Sequence, residues 1–225
     1  MSTRPWVGAL AASLLSSSCA KVGAAPAPDA GPELVLPAPR TTSSVSLETA
    51  LSKRRSVRDV APTPLRLEEV GQLLWAAQGL SDPKQGLRVA PSAGALYPLE
   101  LYLARADGLF RYVPARHVLV SVRATDVRPA IAKSALDQDV VRKAPELVVV
   151  TGVLARTRVK YGARAERYAT LEAGHAVQGL LLEATALGLA ATPIGAFEDD
   201  ALRAAIGVPD TELPLYVVTV GRPAS

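Results

Sequence analysis

The chain has little of what most binding and catalytic schemes rely on. Its 225 residues include one cysteine, Cys19, so neither an intrachain disulfide nor a cysteine-based zinc cluster is available. Two histidines, His117 and His175, are too few for most metal sites. Aromatic residues make up 4%, which argues against a platform for stacking bases. The 25 basic and 21 acidic side chains leave a net of +4, scattered rather than clustered, so nucleic acid is not the default partner. There is no G-x-x-x-x-G-K-[ST] loop, no G-x-G-x-x-G after a strand, no H-E-x-x-H and no G-x-S-x-G. These absences exclude P-loop phosphate chemistry, zinc hydrolysis and elbow-serine acyl transfer. What is there, 49% hydrophobic and 20% charged residues, suffices for one globular domain with extras.

Residues 1–25 have the three-part layout of an export leader: Arg4, an apolar stretch from Trp6 to Leu15, then small residues. That stretch is too short to cross a bilayer as a mature helix. Cys19, after Leu15-Ser16-Ser17-Ser18, resembles a loose lipoprotein box and is a candidate lipid anchor; plain cleavage near Ala20 or Ala25 is the other reading. The leader implies an exported, periplasmic or membrane-anchored protein, and a cytoplasmic one if it does not function. Residues 26–45, rich in Pro, Ala, Ser and Thr, read as a disordered tether. The folded domain is then expected over residues 46–225.

Within it, Ser46 caps a helix running to about Arg55, and Leu67–Leu80 has strong helical periodicity. Leu99–Ala104 and Leu109–Val113 read as a hairpin turning at Asp107-Gly108. Asp126–Leu136 looks helical, and Glu146–Val153 is a continuous apolar run suited to a sheet centre. A long helix is expected over 163–187 with Gly188 closing it, then a strand at 190–194, a helix at 199–206 and a strand at 215–220. Helices and strands mix without regular βαβ alternation. The fold class is α+β, a mostly antiparallel sheet flanked by helices.

Three stretches stand out chemically. Arg54, Arg55, Ser56 and Arg58 end the first helix, where Arg54 and Arg58 would share a face. Guanidinium forks with a hydroxyl suit a phosphate, though a solvated basic helix end has the same composition. Pro91-Ser92-Ala93-Gly94 lets backbone approach something flat, or simply connects tightly into the next strand. Ile194-Gly195, at a strand end, would expose backbone N–H groups. Glu172 and His175, three apart on the long helix, form either an acid–base pair or a helix-surface contact. Lys160-Tyr161 could donate protons or merely open a helix, and His117 reads as a surface residue.

Taken in order, these stretches resemble the FMN-dependent nitroreductase family, and within it the SagB-type dehydrogenase branch that includes azoline oxidases. The resemblance rests on Arg54-Arg55-Ser56-x-Arg58, Leu73-Leu74-Trp75-Ala76-Ala77-Gln78-Gly79, Pro91-Ser92-Ala93-Gly94-x-x-Tyr97-Pro98-x-Glu100-x-Tyr102, Leu171-Glu172-Ala173-Gly174-His175 and Pro193-Ile194-Gly195-Ala196-Phe197. It implies a nitroreductase-like FMN-binding fold in an interlocked homodimer with two interfacial FMN sites. Arg54, Arg55, Ser56 and Arg58 would hold the phosphate and ribityl chain, with Arg222 as a further phosphate contact. Pro91, Ser92, Ala93 and Gly94 would come from the partner subunit along the ring system, and Ile194 and Gly195 would face flavin N5. Lys160 and Tyr161 match a pair associated with substrate deprotonation in azoline oxidases. Gly94 stands where many nitroreductases carry Asn.

The activity this implies is hydride transfer between NAD(P)H and a small organic acceptor such as a nitroaromatic or quinone. A second reading is dehydrogenation of azolines in a modified peptide. A third is a flavin-binding or scaffold protein without turnover.

Overall fold

A computed structural model describes residues 31–224 of the chain; the leader with Cys19 and residues 26–30 lie outside them. The order of elements is β1 (Glu33–Val35), α1 (Leu47–Lys53), β2 (Val60–Ala61), α2 (Leu67–Gln78), β3 (Leu80–Asp82) and β4 (Leu87–Arg88). There follow β5 (Leu99–Arg105), β6 (Gly108–Val113), β7 (Val118–Arg123), α3 (Arg128–Ser134), α4 (Asp139–Lys143) and β8 (Glu146–Val153). The chain closes with α5 (Leu154–Tyr161), α6 (Ala165–Ala186), β9 (Ala190–Ile194), α7 (Asp199–Ile206) and β10 (Glu212–Pro223).

The main sheet runs β1-β7-β6-β5-β8-β10-β2, with β9 also on β10, and every pairing among the described residues is antiparallel. Strand alternation divides the core into two layers. Leu99, Leu101 and Leu103 of β5 and Val148 and Val150 of β8 face one layer with α2 and α6. Tyr102, Ala104, Leu147 and Val149 face the other with α3, α4 and α7. A strand covered on both faces must be apolar throughout, which is why the run at 146–153 sits at the sheet centre. The architecture is the expected α+β one, with helices on both faces of the sheet.

Four local readings change. The stretch read as a tether through residue 45 joins the sheet: Glu33–Val35 pairs with β7, and Leu36 is buried in the core. Its short Leu34-Val35-Leu36 apolar run is enough to add an edge strand once a neighbour exists. The hairpin turns at Ala106-Asp107, because Arg105 pairs with Gly108. The segment before the long helix is itself a helix, α5, closed by Gly162 at φ +53° before α6 begins. Only Leu154 and Thr157 of α5 are buried, so no apolar period announced it. His117, at φ +51°, is half-buried rather than on the surface. Its Nδ1 meets Tyr112 Oη at 2.8 Å and its Nε2 meets the Pro37 carbonyl at 3.0 Å, tying the N-terminal strand segment to β6.

Candidate active site

The basic stretch lies along a sheet edge and not on a helix face. α1, capped by Ser46 Oγ on the Thr49 N–H (3.2 Å), ends at Lys53, and Arg54 at φ −54°, ψ 122° already turns extended. Tertiary pairing overrides the local helical preference. Val57 N–H donates to the Ala191 carbonyl (3.4 Å), Thr192 Oγ1 donates to the Val57 carbonyl (2.9 Å), and Ala224 N–H donates to the Asp59 carbonyl (3.1 Å). Arg54 and Arg58 therefore do not share a helix face; they flank Ser56 on a strand-like segment beside β9. Arg55 folds back on its own backbone, donating to the Ser52 and Arg54 carbonyls. The side chains of Arg54, Ser56 and Arg58 have no partner among the described residues.

Two further groups meet this edge. Ile194 ends β9 and is buried, while Gly195 is exposed, and a β-carbon there would touch nothing within 4 Å. Arg222 is in register with Ala61 of β2. Its Nη2 donates to both oxygens of buried Glu69 (2.8 and 3.0 Å), leaving Nε and Nη1 without a partner among the described residues. Glu69 also accepts the Arg66 N–H (2.9 Å) at the start of α2, so one buried carboxylate both caps a helix and orients a cation. Sequence reading missed Glu69, since the interaction spans 153 positions.

The Pro91–Gly94 stretch forms a strained loop. Gly94 (φ +64°), Ala95 (φ +53°) and Tyr97 (φ +47°) all occupy the left-handed region, which costs energy for Ala and Tyr. The loop is held by Ser92, whose Oγ accepts the Tyr97 N–H (2.9 Å) and whose carbonyl accepts the Ala95 N–H (3.0 Å). Lys160 and Tyr161, at the C-terminal end of α5, close over it. A β-carbon on Gly94 would stand 2.9 Å from Tyr161 Oη and 3.1 Å from Lys160 Nζ, so glycine is favoured by its positive φ and lets these two side-chain ends approach closely. The Tyr161 ring packs edge-on against Tyr168 of α6 at 4.9 Å.

Beneath the loop, Glu172 and His175 do not form a pair: Glu172 is buried and His175 exposed. Burial raises the Glu172 carboxyl to about 7 against the opposing influence of Ser92, Arg88 and Gln78, and its Oε1 has no hydrogen-bond partner. Among the described residues, no hydrogen bond or ion pair joins the Arg54–Arg58, Ile194–Gly195 and Arg222 group to the Pro91–Gly94, Lys160 and Tyr161 group within one chain.

The fold is thus a helix-covered antiparallel sheet that carries this cationic edge beside an open strand end. The nitroreductase family pattern matches residues 51–222, and the chain belongs to that family. A nitroreductase-type protein of Methanocaldococcus jannaschii is 39% identical over 184 residues, covering 79% of this chain and 91% of that protein. The crystal structure of a nitroreductase-type protein of Ralstonia eutropha superposes with a TM-score of 0.80 at 31% identity, covering 89% of this chain and 93% of the other. The Escherichia coli microcin synthetase McbBCD complex, solved with truncated pro-MccB17 bound, shares the fold at TM-score 0.70 and 21% identity, over 99% of this chain and 85% of the matched one.

Proposed function

We propose that the protein is an FMN-dependent oxidoreductase moving hydride between NAD(P)H and a small organic acceptor of the nitroaromatic or quinone type. The observation that carries this reading is the set of unpartnered donors on one sheet edge, Arg54, Ser56 and Arg58, beside the open backbone at Ile194-Gly195. These residues fit the cofactor: a phosphate dianion requires several converging donors, and an uncovered glycine lets a flat ring system reach the strand end. Arg54, Ser56 and Arg58 would hold phosphate and ribityl oxygens, with Arg55 at the rim and Arg222, oriented by Glu69, adding its free N–H groups. When bound, FMN supplies a hydride-exchanging nitrogen, and the protein supplies position and charge. Ile194 and Gly195 would face that nitrogen, and cationic side chains favour an anionic reduced ring.

The absence of any bond between the two residue groups within a chain supports a homodimer in which Pro91, Ser92, Ala93 and Gly94 cover the partner subunit's cofactor. Residues 1–25 would export the protein, with lipidation of Cys19 anchoring it.

The test is anaerobic addition of NADH and NADPH to the yellow protein: bleaching of the visible band is expected, and no bleaching with either donor would defeat the reading. Replacing either Arg54 or Arg58 alone by Gln should weaken FMN roughly ten- to a hundredfold while changing riboflavin affinity little, since each charge-assisted hydrogen bond contributes ~1.5–3 kcal/mol.

A second reading, azoline dehydrogenation on a modified peptide, is favoured by the placement of Lys160 and Tyr161 over Gly94. The fold likeness to a microcin synthetase chain supports it. On this reading Lys160→Met or Tyr161→Phe abolishes azoline oxidation and leaves FMN bound. Full nitroaromatic turnover in both variants, with no azoline activity in the parent, selects the first reading.

A further inference from the structure

Beneath the strained loop lies a polar cluster that the proposed function leaves without a role. Its members come from three elements: Gln78, the last residue of α2, Arg88, the last residue of β4, and Glu172 on α6. Arg88 reaches the loop twice. Its backbone N–H donates to Tyr97 Oη (3.1 Å), and its guanidinium lies over the Tyr97 ring at 4.7 Å. The same guanidinium donates to Gln78 Oε1 (2.8 Å), and Gln78 has no exposed surface. Ser92 and Gln78 flank the Glu172 carboxyl, which the charge of Arg88 also reaches.

Two costs meet here. Gln78 Nε2 and Glu172 Oε1 are buried without a hydrogen-bond partner among the described residues, an arrangement that lowers stability. The loop above them is costly too, because Ala95 and Tyr97 hold positive φ angles that glycine would adopt freely. The bonds from the Tyr97 and Ala95 N–H groups to Ser92 set the shape of the turn but not its place. Arg156 of α5 adds one bond to the Tyr97 carbonyl (3.2 Å). The polar cluster ties the turn instead to α2 and α6, whose apolar residues share one core layer.

We propose that Gln78, Arg88 and Glu172 are positioning residues: they clamp the Ser92–Tyr97 turn, at its strained backbone angles, in the place from which it covers the partner subunit's cofactor. For the cofactor this rests on the proposed oxidoreductase reading; the clamp itself lies within one chain.

Hydrogen exchange on the full-length protein, without and with added FMN, reads the clamp at the Ala95 and Tyr97 amides, and FMN titration reads its purpose. Arg88→Met keeps the side-chain stem and removes the guanidinium. Gln78→Leu, the second variant, keeps the buried volume and removes an unpartnered donor, which spares the fold. In each, exchange at Ala95 and Tyr97 should rise roughly tenfold while α6 amides keep their protection, the loss of about one charge-assisted hydrogen bond. FMN should bind weaker by a similar factor. Adding Ala95→Gly to Arg88→Met should restore FMN affinity several-fold, because glycine takes the left-handed angles without strain; a general loss of stability would not be rescued this way. Exchange unchanged in both variants, or raised equally throughout the chain, overturns the inference, as does a looser turn that leaves FMN affinity unaltered. A parent protein that binds no FMN, with exchange responding as expected, would uphold the clamp and defeat the oxidoreductase reading. Reduction of bound FMN by NADH or NADPH, with exchange indifferent to both variants, would do the reverse.

Discussion

Glu146 and Glu172 are two acids placed where acids are expensive. Glu146 has no exposed surface; Arg105 Nε lies 3.3 Å from one oxygen, yet neither oxygen has a hydrogen bond, and burial raises the carboxyl to about 7. Glu172 is raised to about 7 by the same cause. The native state therefore holds more protons than the unfolded chain between the ordinary carboxylate range and pH 7. Stability is fully present below that window and falls as pH rises through it. The melting temperature should drop by several degrees between pH 5.5 and pH 8, since about 1 kcal/mol is worth roughly 2–4 °C in a domain of this size. Glu146→Gln and Glu172→Gln should each flatten the dependence; an unchanged slope in both, by thermal unfolding across pH, would refute it. At this scale, sequence could offer Arg54, Ser56, Gly94 and Lys160 as candidates, because each belongs to a short local pattern. It could not pick out Glu69 or Arg88, which look ordinary until the fold brings Arg222 to the one and Tyr97 to the other.

Elements were legible in proportion to how much of their pattern is their own. β8 and β9 lie where their apolar runs place them, and α7 spans its amphipathic segment. The long helix ends as expected, with Gly188 at φ +68° and the Leu189 N–H donating to the Ala184 carbonyl at 2.8 Å. α1 is shorter than its composition suggested because residues 57–61 gain more by pairing with β9 and β10 than by continuing a helix. The crossing of α2 and α6 is likewise a tertiary matter. At Gly179 a β-carbon would lie 2.5 Å from the Ala76 carbonyl oxygen, a backbone atom that cannot yield without moving the helix. Gly179→Ala should destabilise the protein by ~1–3 kcal/mol despite alanine's better helix propensity. Chemical denaturation measures this, and a stabilised variant would show that the helices separate freely.

At the scale of the whole molecule, α1 leaves a face unused. Leu47 and Leu51, four residues apart, are 62% and 53% exposed, and Leu171 on α6 is 51% exposed. Such a patch together with a candidate site divided into two unconnected groups is what the proposed interlocked dimer would explain. Light scattering should give twice the chain mass, and Leu47→Glu with Leu51→Glu should yield monomers that have lost most of their FMN affinity. Monomers that retain FMN would show that one chain holds the cofactor alone. The sequence by itself determined the class of fold, the central strand, the helix caps and the order of the candidate motifs, because these depend on neighbours a few positions away. Tertiary structure alone decided that Arg54 and Arg58 lie on a sheet edge, that Lys160 and Tyr161 cover Gly94, and that Arg111 and Arg156 both pair with Glu100. Those outcomes depend on which strands pair and which helices cross, and the free energy of long-range burial, not the local pattern, sets that choice.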